Sequence, residues 1–150
     1  MKASLSPLKL TSFALLRASY EYIVPEKVKK NATPITFFER YSIDIDFSHK
    51  EEDCGIAVIV KIEINNIEKV ISGYKLFFEA GGTFSLPSKE SLKEDVYNNL
   101  YFYSTVNIII GNIRNIIAST TANGPFGTYL LPPIDINSLF KAKKEEVLKS

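Results

Sequence analysis

Titratable side chains are concentrated between residues 49 and 54, which include His49 and Cys54, the only histidine and the only cysteine of the chain. A single histidine cannot supply a two-histidine metal site within one chain, and a single cysteine cannot form an intrachain disulfide. Neighbouring side chains on a turn rarely converge on one point. The segment 48–53 is therefore predicted to be a charged, hydrophilic turn.

Two carboxylates, Asp44 and Asp46, lie two residues apart, so they share a face if this segment is a strand. Paired acid–base catalysis needs that arrangement, and the solvated face of a half-buried strand has it too. Gly81-Gly82 is not followed by the Lys-Ser/Thr of a phosphate-binding loop. We predict no catalytic site, no metal and no cofactor, unless a deep pocket gathers Asp44, Asp46 and His49.

The net charge is +1, and the lysines are mostly scattered along the chain. Nucleic-acid binding needs a basic face that displaces counterions, so nucleic acid is not an expected partner. The apolar runs are strand-sized, and the first ten residues have no signal-peptide pattern. We expect a cytoplasmic protein with no direct membrane insertion.

The first part of the chain, which must position these residues, is predicted to consist of strands. Alternation of apolar and polar residues predicts four strands, within residues 8–23, 41–47, 56–64 and 71–84. The first has an irregular phase, which indicates a break or a bulge near Ser12. Residues 24–34 form a connecting loop or a longer crossover. The fourth strand is predicted to end at Gly81-Gly82.

The second part of the chain has helical spacing from residue 89 to residue 121, and aromatic and β-branched residues at 101–106 leave open whether this is one helix or two. A last, short helix begins near Asp135 or Asn137. The predicted fold is α+β within one domain, residues 1–150. A four-stranded antiparallel sheet, a meander with a crossover after the first strand, packs against the long helix and the C-terminal helix.

Aromatic residues are abundant, with 10 Phe and 8 Tyr. Phe37-Phe38, Phe77-Phe78 and Tyr101-Phe102-Tyr103 are adjacent in sequence, and adjacent strand residues point to opposite faces. One core cannot hold them all. A subunit interface, a groove for client polypeptides and singly exposed rings are the alternatives, and the first two are compatible.

Several motifs stand in the C-terminal third, namely Gly124-Pro125-Phe126, Leu130, Pro133-Ile134-Asp135-Ile136 and Leu139-Phe140, together with Gly81-Gly82-Thr83-Phe84 upstream. In this order they resemble the SecB family of protein-export chaperones. The resemblance implies a homotetramer, a dimer of dimers without a catalytic site. Such a chaperone is a holdase that keeps preproteins or other aggregation-prone clients unfolded for export, in apolar grooves lined by aromatic side chains.

The resemblance also implies site residues. Client binding is expected at Phe37, Phe38, Phe126, Leu130, Leu131 and Phe140. An acidic outer sheet face that docks on the secretion ATPase would consist of Glu21, Asp44, Asp46 and Glu63.

The chain departs from this pattern in being nearly neutral, with Lys75 on the fourth strand and Phe77 where an acidic contact is expected. A dedicated interaction protein, such as an antitoxin-specific SecB-like chaperone, is therefore the alternative to a general export factor.

Overall fold

A computed structural model describes residues 1–25, 33–53 and 55–149, so most of the predicted 24–34 crossover and Cys54 lie outside the described residues. Its strands are β1 (Lys9–Ile23), β2 (Ile43–Glu52), β3 (Gly55–Ile64) and β4 (Gly73–Ser85). Its α-helices are α1 (Pro34–Phe38), α2 (Glu94–Asn98), α3 (Thr105–Thr121) and α4 (Ile136–Lys149). The π-helical segment Asn99–Ser104 joins α2 to α3.

The four strands form one antiparallel sheet in the order β1-β4-β3-β2. Strands β2, β3 and β4 are a meander, and the chain crosses over after β1 to begin it, as predicted. The register of β1 against β4 shifts between Leu10 and Ser12, which confirms the irregularity near Ser12. A second shift, between Leu15 and Arg17, was not predicted.

Two strand boundaries in the sequence prediction are wrong. The charged turn predicted at 48–53 is mostly strand, because β2 continues to Glu52 and Glu52 already lies opposite Gly55. Strand β4 does not end at Gly81-Gly82, because Gly81 and Gly82 pair with Ile59 and Val58. In both places cross-strand hydrogen bonding outweighs the local preference for a turn.

The segment predicted as one helix or two is a single long helix from Glu94 to Thr121. Asn99 has φ −62° and ψ −47°, and Ser104 has φ −68° and ψ −39°, so the backbone stays helical through both junctions. The three aromatic residues of the ambiguous region lie on the π-helical turns, and its β-branched residues Thr105 and Val106 begin α3. Residues Lys89–Ser91 form a separate 3₁₀ turn.

The core lies between the long helix and one face of the sheet, here called the inner face. Alternate residues of β3 and β4 point into it and are buried, and helix residues spaced by three and four pack against them. Burying one such side chain completely contributes about 1.5–3 kcal/mol. The residues at zero or 1% exposure include Val58, Val60, Ile62, Ile64, Tyr74, Leu76, Phe78, Ile109, Ile110, Ile113 and Ile117.

Gly82 sets the distance between the helix and the sheet. A Cβ atom at this position would lie 2.5 Å from Ile109 Cδ1, so a larger residue would displace the Ile109 side chain from this close approach.

The extended linker between α3 and α4 is held by side chains of the long helix. Arg114 Nε donates to the Leu131 carbonyl oxygen at 3.0 Å, and a terminal nitrogen of Arg114 donates to the Pro132 carbonyl at 3.3 Å. Helix α4 then begins after Asp135, whose carboxylate accepts the Ser138 N–H at 3.1 Å as an N-cap. The predicted start of the last helix is confirmed.

Tyr74 and Tyr129 differ sharply in how their buried hydroxyl groups are satisfied. Tyr74 Oη donates to the Gly127 carbonyl at 2.8 Å and accepts the Phe126 N–H at 2.9 Å. Tyr129 Oη is buried and has no hydrogen-bond partner among the described residues, and burial raises the pKa of Tyr129 to about 12.

We expect Tyr74→Phe to lower the free energy of unfolding by about 1–3 kcal/mol, because it leaves the Phe126 N–H and the Gly127 carbonyl without partners. Tyr129→Phe removes only an unsatisfied hydroxyl and is expected to be neutral or slightly stabilising. Denaturant unfolding of both variants measures the difference. Equal losses would contradict this account of the two hydroxyl groups.

Candidate binding groove

The residues predicted to bind clients fall into two separate aromatic clusters. Phe37 and Phe38 of α1 pack on Phe126, with ring centroids 5.4 Å and 6.4 Å apart, and Phe38 also lies 5.2 Å from Tyr129. Phe140 is elsewhere, and no ring contact among the described residues joins it to this cluster. The Phe37, Phe38 and Phe126 rings are half-buried and pack against the core.

The extended linker directs the two predicted client-binding residues, Leu130 and Leu131, to opposite sides. Leu131 is 2% exposed and belongs to the core, whereas Leu130 is 68% exposed. Consecutive residues of an extended segment point in opposite directions, so only Leu130 is available to a partner.

Phe140 is the predicted residue that lies beside an open groove. Its ring is 4.4 Å from Phe47 of β2 and 4.6 Å from Tyr103 of the π-helical segment, between ring centroids. The groove has a volume of about 450 Å³. It is lined by Phe47, Ser48, His49, Phe102, Tyr103, Phe140, Lys143 and Lys144.

Two local features of the backbone create this groove. Strand β2 is an edge of the sheet, so no further strand of the described residues lies beside the inner-face residues Phe47 and His49. The π-helical turns distribute the three consecutive aromatics: Tyr101 is buried, Tyr103 is half-buried, and Phe102 is 41% exposed at the groove. π-Helical turns often occur at functional sites.

His49 lies at the inner wall of the groove and is held by the long helix. Its ring stacks on Tyr101, 5.5 Å between centroids and 17° between planes, and meets the edge of Phe102. Thr105 Oγ1 donates to the Tyr101 carbonyl at 2.6 Å, so it accepts from His49 Nε2, 3.1 Å away. His49 is therefore a positioned, donating side chain.

Burial lowers the pKa of His49 below its usual 6.5, although the backbone carbonyls of Phe102 and Tyr101 oppose the shift. The imidazole is therefore neutral at neutral pH, and the aromatic part of the groove carries no charge from it. The nearest acid on the same strand face is Glu51, which interacts with Tyr101.

The four acidic residues predicted to dock on the secretion ATPase lie on the outer face, and several have basic neighbours. Asp46 forms an ion pair with Lys143 of α4, and Glu63 forms one with Lys61 at 3.1 Å. Partial burial of Asp46 opposes ionisation, yet the Lys143 hydrogen bond lowers the pKa of Asp46 overall. Glu21 lies opposite Lys75, and Asp44 lies opposite Glu63.

This arrangement also bears on the catalytic alternative. Asp44 and Asp46 lie on the outer face, while His49 pairs with Val58 on the inner face, so the sheet separates the carboxylates from the imidazole. They do not share a pocket. In residues 1–25, 33–53 and 55–149, no group of three or more His, Cys, Asp or Glu side chains gathers as a metal site.

Sequence reasoning missed most of the groove. His49 was placed in a turn, and its position on a strand became evident only from the pairing with β3. The sequence did point to Phe102 and Tyr103, because three adjacent aromatic residues on a helix cannot all lie on the face that packs against the core. Lys143 and Lys144 were interpreted only as part of a solvated, Lys/Glu-rich tail.

Comparison with known proteins gives a structural match. No protein-family model matches the sequence, and no curated protein matches it. The fold is similar to that of the Mycobacterium tuberculosis SecB-like chaperone Rv1957, solved in complex with a ChAD peptide from the Rv1956 HigA1 antitoxin. The TM-score is 0.56 at 12% identity, over 85% of this chain and 88% of that chain.

A Streptococcus agalactiae protein of unknown function is similar over 87% of this chain and all of its own, with TM-score 0.45 and 9% identity. Among the described residues, no helix is long and apolar enough to cross a membrane. At 12% identity the likeness to Rv1957 concerns the fold. The four-stranded antiparallel sheet with its long helix and C-terminal helix is a SecB-like fold, as the sequence resemblance predicted.

We expect stability to fall as the pH drops below about 6.5, because the unfolded chain then binds a proton at His49 that the folded protein binds only at lower pH. Above that pH the neutral His49 makes its full contribution to the free energy of unfolding. His49→Gln keeps an N–H donor and does not titrate, so its stability should depend less on pH. Urea unfolding between about pH 7.5 and 5.5 measures both proteins, and equal slopes would contradict a buried neutral His49.

Proposed function

We propose that this protein is a SecB-like holdase chaperone that binds non-native polypeptide segments in the groove beside β2. The observation that carries the proposal is an open groove with aromatic walls at a free strand edge. Unfolded clients offer exposed apolar side chains and unpaired backbone groups. A groove beside a free edge is complementary to both.

The free edge of β2 supports binding that tolerates many sequences. Among the described residues, no strand pairs with the edge of β2 that lies away from β3. An extended client segment adding to this edge forms main-chain hydrogen bonds, which any sequence can supply except proline. Its alternate side chains then face Phe47, Phe102 and Phe140, and each aromatic contact adds about 0.5–1.5 kcal/mol beyond area burial.

The predicted client-binding residues divide into two roles under this proposal. Phe140 lines the groove, and the exposed Leu130 offers a second contact. Phe37, Phe38, Phe126 and Leu131 support the architecture around them. The role is that of a binding protein without a catalytic site or a cofactor.

A dedicated chaperone for one partner is the second candidate. It is supported by the solved complex of Rv1957 with an antitoxin peptide, and by the mixed charge of the outer sheet face. Lys61, Lys75 and Lys143 lie beside acidic residues there, which argues against docking on the secretion ATPase through Glu21, Asp44, Asp46 and Glu63. We therefore propose client holding as the function and leave export docking out of it.

The chain is also proposed to assemble as a homotetramer. Strand β1 is the second sheet edge, and its apolar residues Leu10, Leu15 and Tyr20 are 37%, 44% and 38% exposed. The long helix is almost uncharged: from residue 96 to residue 121 the only charge is Arg114, which is bound to the linker. Depletion of charge and exposed apolar edges are features of subunit interfaces.

Phe102→Ser is expected to weaken binding of an unfolded client about five-fold, because it removes an aromatic contact from the groove. Ile59→Ser is the matched control, since Ile59 is 40% exposed on the outer face against 41% for Phe102. Light scattering of a urea-denatured, aggregation-prone protein diluted into each variant gives the readout. Aggregation that the wild-type protein does not suppress would refute the holdase role.

The same light-scattering assay shows whether clients bind in the groove or on the linker. A loss of suppression in Leu130→Ser with none in Phe102→Ser would place the client on the linker instead. A stoichiometric partner recovered by pull-down, together with indifference to generic clients, would favour the dedicated chaperone.

Leu15→Arg is expected to lower the oligomeric state, because a charge on the inner face of β1 opposes pairing of this edge with another subunit. Sedimentation equilibrium measures the mass against 16.9 kDa per chain. Leu130→Arg, an equally drastic change outside β1, should keep the wild-type mass. A wild-type monomer would contradict the proposed assembly.

A further inference from the structure

The charges around the groove are unequal at its two ends. Lys143 and Lys144 of α4 line the groove, with Lys143 near Phe47, and Glu51 lies beyond His49 on the same strand face. Lys143 is already neutralised, because its ammonium pairs with Asp46 and lies 5.8 Å from the Phe47 ring centroid. Lys144 forms no ion pair with any described residue and is exposed.

Lys144 is therefore the charged residue of the groove lining that has no ion-pair partner among the described residues. Ser48, Phe102, Tyr103 and Phe140 carry no charge at neutral pH. A ligand that covers the aromatic rings brings its next residues close to this ammonium group. The chemistry that complements the site is a large apolar side chain with a carboxylate nearby.

We propose that the groove prefers internal segments of non-native polypeptides in which an acidic side chain stands close to a large apolar residue, with the carboxylate at Lys144. This inference rests on the proposed function and adds the class of client sequence. It also predicts that segments flanked by lysine or arginine at that end bind more weakly, because like charges repel.

The geometry favours an internal segment over a chain terminus. Strand β2 runs from Ile43 to Glu52, so it extends beyond Phe47 and His49 on both sides, and a client can continue in both directions. The groove of about 450 Å³ holds only a few side chains. At about 3.3 Å per residue of extended chain, an acidic residue within roughly three positions of the apolar anchor reaches Lys144.

The test uses fluorescently labelled peptides, capped at both ends, that share one apolar core. In each set a single flanking position carries Glu, Gln or Lys, and the position is moved through three residues on either side. Anisotropy titrations at low salt are made with the wild-type protein and with Lys144→Gln. Lys141→Gln is the matched control, because Lys141 is an exposed lysine of the same helix that does not line the groove.

For at least one position, we expect the Glu peptide to bind about three-fold more tightly than the Gln peptide, as for an exposed ion pair. The preference should disappear in Lys144→Gln, persist in Lys141→Gln and shrink as salt is added. Equal affinities of Glu and Gln peptides at every position would overturn the inference while leaving the holdase proposal intact.

Two other results are decisive. If no peptide binds the wild-type protein, the proposed groove function itself fails. If capped peptides show no preference and only uncapped peptides bind more tightly through their C-terminal carboxylate, recognition of an internal acidic segment is refuted.

Discussion

The contact between Ile109 of the long helix and Gly82 of β4 is the constraint on which the rest of the structure depends. Gly82 has no Cβ atom, and Ile109 occupies the space that a Cβ atom would need, so the helix lies close to the sheet at this point. A helix at that distance buries the apolar residues of β3 and β4 beneath it. It also brings Tyr101 and Thr105 within reach of His49 on β2. The position of the groove wall is thus a consequence of packing in the core.

The groove lies where the edge strand β2, the π-helical turns and α4 meet. Strand β2 is an edge of the sheet and extends to Glu52, and its inner-face residues are covered by the π-helical turns of the long helix and by α4. The π-helical turns supply Tyr101 against His49 and leave Phe102 at the surface, while Phe140 of α4 covers Phe47. A regular α-helix would direct these three consecutive aromatics differently. The irregularity in the helix therefore decides which ring faces solvent.

The sequence predicted the fold better than the site, and the reason is periodicity. Alternation over several residues identifies a strand such as β3, because every residue contributes to the signal. His49 was misplaced because a charged segment resembles a turn until its partner strand is known. Lys143 was missed because its relation to Asp46 spans 97 residues of sequence. Contacts of that kind depend on where α4 docks, which no local pattern encodes.

The same reasoning explains why the outer face does not act as a plain acidic surface. Cross-strand neighbours share a face, so the register places Arg17, Glu79, Lys61 and Asp46 in one row across the sheet. Their charges alternate in sign, and Lys143 continues the row from α4. Opposite charges side by side cancel beyond about one Debye length, roughly 8 Å at physiological salt. A partner approaching this face therefore meets little net potential, whereas the groove on the other face carries the uncompensated Lys144.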